Sequence, residues 1–166
     1  IAGGHLSMRF GFRGPSQTII SACASSNDAI GIALRLIRYG DADVILTGGT
    51  EASITPLTIA GFGNMRALSQ NCDNPTKASR PFDATRDGFV IGEGAGVMVL
   101  ETLEHAKSRG ATIHAEIVGY GTTCDAHHIT SPTPGGAGGA EAIRQALEDG
   151  SLNPDTIDYI NSPGTS

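Results

Sequence analysis

Cys23 is the residue in this sequence best placed to do covalent chemistry. It lies within the run Thr18-Ile19-Ile20-Ser21-Ala22-Cys23-Ala24-Ser25-Ser26. An apolar, β-branched stretch gives way there to small residues around one sulfur. The pattern Ala29-Ile30-Gly31-Ile32-Ala33-Leu34-Arg35-Leu36-Ile37 then begins at once. A strand followed directly by a helix puts Cys23 on a tight corner at the helix N-terminus. The unpaired N–H groups of the first turn and the helix dipole favour a thiolate at such a place, and the thiolate is the nucleophilic form. Small neighbours let the chain turn sharply and let a substrate reach the sulfur, as at a serine nucleophile elbow. A buried, inert cysteine at a strand end is the alternative that position alone leaves open.

The elements that would position this residue read as an α/β chain. Gln17–Ser21 reads as a strand. Ser25–Tyr39 reads as a helix with an apolar stripe at Ile30, Leu34 and Ile37, closed by Gly40 in the position of a C-terminal cap. Asp43–Thr47 reads as a strand of a sheet covered on both faces. A short helix is expected at Pro56–Gly61, a loop at Ser69–Asp83 and a strand at Ala95–Glu101. Beyond them come a helix at Leu103–Arg109, a strand at His114–Gly121, a loop at Pro132–Gly139, a helix at Glu141–Glu148 and a last strand at Tyr159–Asn161. Gly92-Glu93-Gly94-Ala95-Gly96 invites a nucleotide-binding reading. That fingerprint needs a helix directly after its glycines, and Val97-Met98-Val99-Leu100 has the character of a strand.

Composition narrows the class. The 166 residues suit one compact domain. Glycine occurs 23 times, about twice the usual roughly 7% share, which implies many tight turns and close backbone approaches. A net charge of −6 argues against a nucleic-acid surface. No apolar run approaches the roughly 18 residues of a membrane span. The three cysteines, Cys23, Cys72 and Cys124, show no CxxC spacing, suggest neither a disulfide framework nor a zinc site, and point to a reducing compartment. His127 and His128 do not make a metal site by themselves, because neighbours on a strand face opposite ways.

The ordered motifs resemble those of a known family. Ser-Ala-Cys-Ala-Ser at 21–25 looks like the active-site motif of the β-ketoacyl-[acyl-carrier-protein] synthases, condensing enzymes of the thiolase fold. Gly40-Asp41-Ala42-Asp43-Val44 and Gly48-Gly49-Thr50-Glu51-Ala52 are similar to the segment after the nucleophile helix. Arg80-Pro81-Phe82-Asp83, Arg86-Asp87-Gly88-Phe89-Val90 and Gly92-Glu93-Gly94-Ala95-Gly96 fit the central signature. Asp125-Ala126-His127-His128-Ile129-Thr130 and Asn161-Ser162-Pro163-Gly164-Thr165-Ser166 match two later blocks. The likeness runs from about Gly4 to the last residue and is nearer to the fatty-acid synthase II type than to modular polyketide ketosynthases.

The resemblance implies a layered α-β-α-β-α fold. It also implies a partial chain, reaching from the end of the N-terminal half to the start of the C-terminal half, with no complete second domain. Such a piece is expected to be unstable or aggregation-prone alone. Cys23 would accept an acyl group from an acyl carrier protein, and its backbone N–H would be one oxyanion donor. A malonyl-carrier would then lose CO₂, and its carbanion would attack the acyl-Cys. Phe62 and Thr58 match positions lining the acyl pocket. Arg66 matches a basic position that meets the acidic carrier. His128 and Thr130 lie on the pantetheine side, and Thr165 matches a hydroxyl that bonds the pantetheine arm. No metal or organic cofactor is implied, since phosphopantetheine arrives on the carrier. The expected assembly is a homodimer, and the expected location is the cytoplasm, or an organelle in a eukaryote.

Two residues depart from the pattern. Pro163 stands where the family has its first catalytic histidine, and proline has neither a side-chain donor nor an N–H. Asp28 stands where a histidine is common on the nucleophile helix, and an acid there complements the helix dipole. A polyketide-type ketosynthase and a non-condensing partner subunit are the alternatives. Pro163 favours the partner subunit, and the retained Cys23 speaks against it.

Overall fold

The structure is a computed structural model describing every residue except Pro163, Thr165 and Ser166. The Pro163 and Thr165 expectations therefore lie outside the described residues. In chain order the helices are α1 (Ala2–Phe10), α2 (Ser25–Arg38), α3 (Pro56–Asn64), α4 (Leu103–Ser108) and α5 (Ala137–Asp149). The strands are β1 (Val44–Glu51) and β2 (Gly94–Glu101). The chain divides into two compact units, Ile1–Gly49 with Val97–Ile157, and Thr50–Gly96 with Asp158–Ser166.

In the first unit α2 follows its predicted stripe. Leu34 is buried, while Ile30 and Ile37 are half-buried. Asp28 in its first turn and Arg35 and Arg38 in its last complement the dipole at both ends. Gly40 takes a φ of 80°, as a glycine after a helix end should. α4 opens on Thr102, whose Oγ1 accepts the His105 N–H at 3.2 Å. β1 and β2 pair in a two-stranded sheet. The Thr102 N–H bonds the Asp43 carbonyl at 3.0 Å, joining the end of β2 to the start of β1, so the strands run antiparallel. β2 begins inside the Gly-Glu-Gly-Ala-Gly motif, which removes the helix a dinucleotide fingerprint needs.

In the second unit α3 starts on Thr55, with Pro56 in the first helical position and the Thr58 N–H on Thr55 Oγ1 at 3.3 Å. A loop follows, tied down by Asp87. Its carboxylate accepts from the Ser69 hydroxyl at 2.6 Å, the Gln70 N–H at 2.9 Å and the Arg80 guanidinium at 3.1 Å.

Several expectations need correction. Gln17–Ser21, His114–Gly121 and Tyr159–Asn161 form no strands. A strand exists only with a partner, and these segments find none among the described residues. β1, the strand read as covered on both faces, is half-buried to buried from Ile45 to Gly49, whereas the consecutive residues Val97, Met98 and Val99 of its partner β2 are 59%, 43% and 54% exposed. Consecutive strand residues face opposite ways, so both faces of β2 are open. α5 starts four residues earlier than expected, within the predicted Gly/Pro loop. α1 was not expected, because Gly3, Gly4 and the absence of a side-chain cap mask it.

Only Ala33, Leu34, Ala78 and Ala106 are buried apolar residues among those described. One local ion cluster is well formed. Glu101, with its side chain 10% exposed, bonds Arg109 and accepts from His105 Nδ1 at 2.7 Å. Arg109 first, and His105 second, pull the Glu101 carboxyl from its ordinary 4.5 down to about 2. A depressed carboxyl contributes stability above its unfolded value and loses it as pH falls through the folded value. Acid unfolding of the full-length protein should therefore steepen between pH 4.5 and about 2. Glu101→Gln should flatten that window. An identical acid profile for parent and variant would refute the assignment.

Candidate active site

Cys23 is exposed, and it lies in a single 3₁₀ turn, Ala22–Ala24, that runs straight into α2. The expected corner is therefore real, although a segment outside any strand leads into it. Ala22, next to the sulfur-bearing residue, has a φ of 52°. That left-handed conformation costs a residue other than glycine roughly 1–2 kcal/mol. Strain of this kind persists only where the surroundings over-determine it.

The surroundings here are a set of short polar contacts. The Ser21 N–H donates to Ser25 Oγ at 2.9 Å, and the Ser25 hydroxyl donates to the Ala22 carbonyl at 2.7 Å. The Ala24 N–H returns to the Ser21 carbonyl at 3.2 Å. The Ser21 hydroxyl donates to Asp28 Oδ2, and the Tyr120 hydroxyl donates to Asp28 Oδ1 at 2.5 Å. The Ser21 hydroxyl first, with Tyr120 next, holds the Asp28 carboxyl below the usual carboxylate range. Burial first, and the bond to Asp28 second, push the Tyr120 phenol above its usual value. Both groups keep the protonation states that their hydrogen bond requires.

Tyr120 is itself fixed. Its ring lies against Gly31 of α2, where a Cβ would sit 2.3 Å from the ring. The Arg35 guanidinium lies 5.1 Å from the ring centroid. The Tyr120 N–H donates to Asp149 Oδ2 at 2.9 Å, and Arg38 binds both oxygens of Asp149 at 3.0 and 2.8 Å. Arg38 also donates to the Val118 carbonyl at 2.6 Å. Gly31→Ala should cost about 1–3 kcal/mol by forcing its methyl group into the ring. The measurement is the denaturant midpoint of the full-length protein, which should fall at unchanged slope. A midpoint equal to the parent's would show that Tyr120 does not rest there.

The other predicted residues fall in two groups. His128 and Thr130 share the first unit with Cys23. His128 Nδ1 accepts the N–H groups of Thr130 and Ser131, each at 3.1 Å, so in the neutral ring the proton sits on Nε2. Thr58, Phe62 and Arg66 belong to the second unit. The Thr58 hydroxyl lies 3.0 Å from Thr55 Oγ1, and Phe62 meets Phe89 edge-on with centroids 6.2 Å apart. Arg66 is exposed just past α3, with a φ of 55°. Among the described residues no group of three or more His, Cys, Asp or Glu side chains could hold a metal. No helix among them is long and apolar enough to cross a membrane.

The sequence reading missed Tyr120 and Ser21 and gave Asp28 only a role in first-turn charge. An isolated glycine in a helical pattern signals close packing, and Gly31 was the available pointer.

Comparison with known proteins adds a consistent picture. Residues 1–106 match the family model for the beta-ketoacyl synthase N-terminal domain, and residues 114–166 match that for its C-terminal domain. The chain is 54% identical over 167 aligned residues to the mitochondrial 3-oxoacyl-[acyl-carrier-protein] synthase of Arabidopsis thaliana, covering 100% of this chain and 36% of that protein. It is 52% identical to 3-oxoacyl-[acyl-carrier-protein] synthase 2 of Synechocystis sp., covering 100% and 40%. Among solved structures it is similar to a complex of a type II PKS acyl-carrier protein with its ketosynthase bound to the hexaketide. The TM-score there is 0.96 at 42% identity, over 99% of this chain and 41% of that one. A beta-ketoacyl synthase from Burkholderia phymatum gives a TM-score of 0.91 at 44% identity, over 98% and 40%. The chain thus spans about two fifths of the length of the relatives it matches.

Proposed function

The chain belongs to the β-ketoacyl synthase family and has its thiolase-like fold, and on that premise we propose that it carries the acyl-accepting part of a 3-oxoacyl-[acyl-carrier-protein] synthase of fatty-acid synthesis. The observation that carries this reading is an exposed cysteine on a strained turn that opens directly into a helix.

The Cys23 thiolate attacks the thioester carbonyl of an acyl carrier protein. The Cys23 N–H stabilises the oxyanion that forms. Collapse expels the carrier's pantetheine thiol, which takes up a proton, and leaves the acyl group on Cys23. A malonyl-carrier then loses CO₂. The enolate that results attacks the acyl-Cys carbonyl, and Cys23 departs as thiolate, releasing a 3-oxoacyl-carrier. By the resemblance, Phe62 and Thr58 answer to positions for the acyl chain, and His128, Thr130 and Thr165 to positions for the pantetheine arm. Arg66 is exposed and cationic, as a contact to an acidic carrier requires. Neither a metal nor an organic cofactor takes part in this scheme, and the working form is a homodimer. The free thiols Cys23, Cys72 and Cys124, all exposed, suit a reducing compartment, the cytoplasm or an organelle.

The test is to incubate the full-length gene product with an acyl-carrier thioester and locate the added mass. An acyl group on the Cys23 peptide is expected, and acylation elsewhere or nowhere would overturn the reading. A polyketide ketosynthase is the second reading, supported by the similarity to the hexaketide-bound ketosynthase. Elongation of poly-β-keto thioesters in preference to saturated acyl thioesters would select it.

A further inference from the structure

We propose that Tyr120, Asp28 and Ser21 form one positioning unit that fixes the turn carrying Cys23. The proposal rests on the reading of Cys23 as the acyl acceptor. Ser21 is where the turn begins, and it is tied at three points. Its N–H donates to Ser25 Oγ, its carbonyl accepts the Ala24 N–H, and its hydroxyl donates to Asp28. The first two ties are local and travel with the turn. Only the third reaches beyond Ser25, the first residue of α2, to Asp28.

The Asp28 carboxylate is a two-sided clamp. One oxygen takes the Ser21 hydroxyl and the other takes the Tyr120 hydroxyl at 2.5 Å. Hydrogen bonds to an ionised acceptor are shorter and stronger than neutral ones. Tyr120 can hold its end still because its ring is seated on Gly31 beneath Arg35 and its N–H is anchored to Asp149. The segment around residue 120 therefore reaches the turn through a carboxylate on the nucleophile helix. Without that tie, the strained φ of 52° at Ala22 can relax, and Cys23 would move with it. Asp28 stands where the resembled family commonly has a histidine, and a histidine there would not offer two carboxylate oxygens to these hydroxyls.

The experiment is a double-mutant cycle on the full-length protein. It reads the rate of acyl transfer from octanoyl-phosphopantetheine to Cys23 by intact mass, with melting temperature recorded for each variant. Tyr120→Phe keeps the ring and removes only the hydroxyl. Tyr120→Phe and Ser21→Ala should each slow acylation by about tenfold at near-parental melting temperature. Together they should slow it by no more than about tenfold, because both break one chain of contacts. A roughly hundredfold loss in the double variant means independent roles and overturns the proposal, as does a parental rate in Tyr120→Phe. Ser21→Thr keeps a hydroxyl and should recover the rate to within about threefold of the parent. Failure to recover would also overturn the proposal, and this pair stands even if Tyr120→Phe does not fold. If the parental protein gains no acyl group at Cys23, the underlying functional reading fails, before any variant is compared.

Discussion

Replacing Cys23 with alanine should abolish acyl transfer, with a loss of about 10⁴-fold or more and no acyl-enzyme detectable by mass. The size of the effect follows from the chemistry. In the proposed scheme the sulfur is the atom to which the acyl group is bonded, so no neighbour can substitute for it. Cys23→Ser is the sharper test. It keeps the shape of the turn and all the contacts of Ser21, Ser25 and Asp28, while exchanging a thiol for a hydroxyl that is scarcely ionised at neutral pH. If the serine variant retained more than about a hundredth of the parental rate, Cys23 would not be the acyl acceptor. Melting curves separate this from misfolding, since Cys23 is exposed and its replacement should leave the melting temperature close to the parent's.

Pro163→His should raise the rate of condensation about 10²–10⁴-fold, the usual worth of one positioned acid–base or hydrogen-bonding group. Acylation of Cys23 should change little. The argument is one of chemical capacity. Proline offers no donor to a developing enolate, and the resemblance places a histidine there. The measurement is a comparison of two rates in the full-length protein: mass gain at Cys23, and release of 3-oxoacyl product from malonyl-carrier. A rise in both, or in neither, would show that position 163 is not the condensing group. A partner subunit would release no 3-oxoacyl product with either residue at 163, so the presence of any product in the parent separates that reading from an enzyme.

The parts of the fold legible in the sequence are those set by local rules. The stripe Ile30, Leu34, Ile37 produced α2, the Thr-Pro start produced α3, and the apolar run after Gly94 produced β2. Strands proved harder, because Gln17–Ser21 has the local character of a strand and lacks only a neighbour among the described residues. Periodicity cannot say whether one is present. The site was legible in the same uneven way. Cys23 announced itself by its small neighbours and the helix after it. The Tyr120–Asp28 bond was invisible, because it joins residues far apart in the chain and nothing local distinguishes that tyrosine from one packed in a core.

The backbone at Gly119 and Gly121 runs flush against α5. A Cβ at Gly119 would lie 2.1 Å from the Ala146 carbonyl oxygen, and one at Gly121 would lie 2.0 Å from that of Ala142. Both glycines flank Tyr120, so the tyrosine's reach toward Asp28 is set by two side chains that do not exist. In a saturation library this short stretch would form a silent gap, tolerating almost nothing, while exposed positions nearby such as Thr123 accept many residues. Efforts to vary this chain should leave that seam alone and work on the loop beyond it.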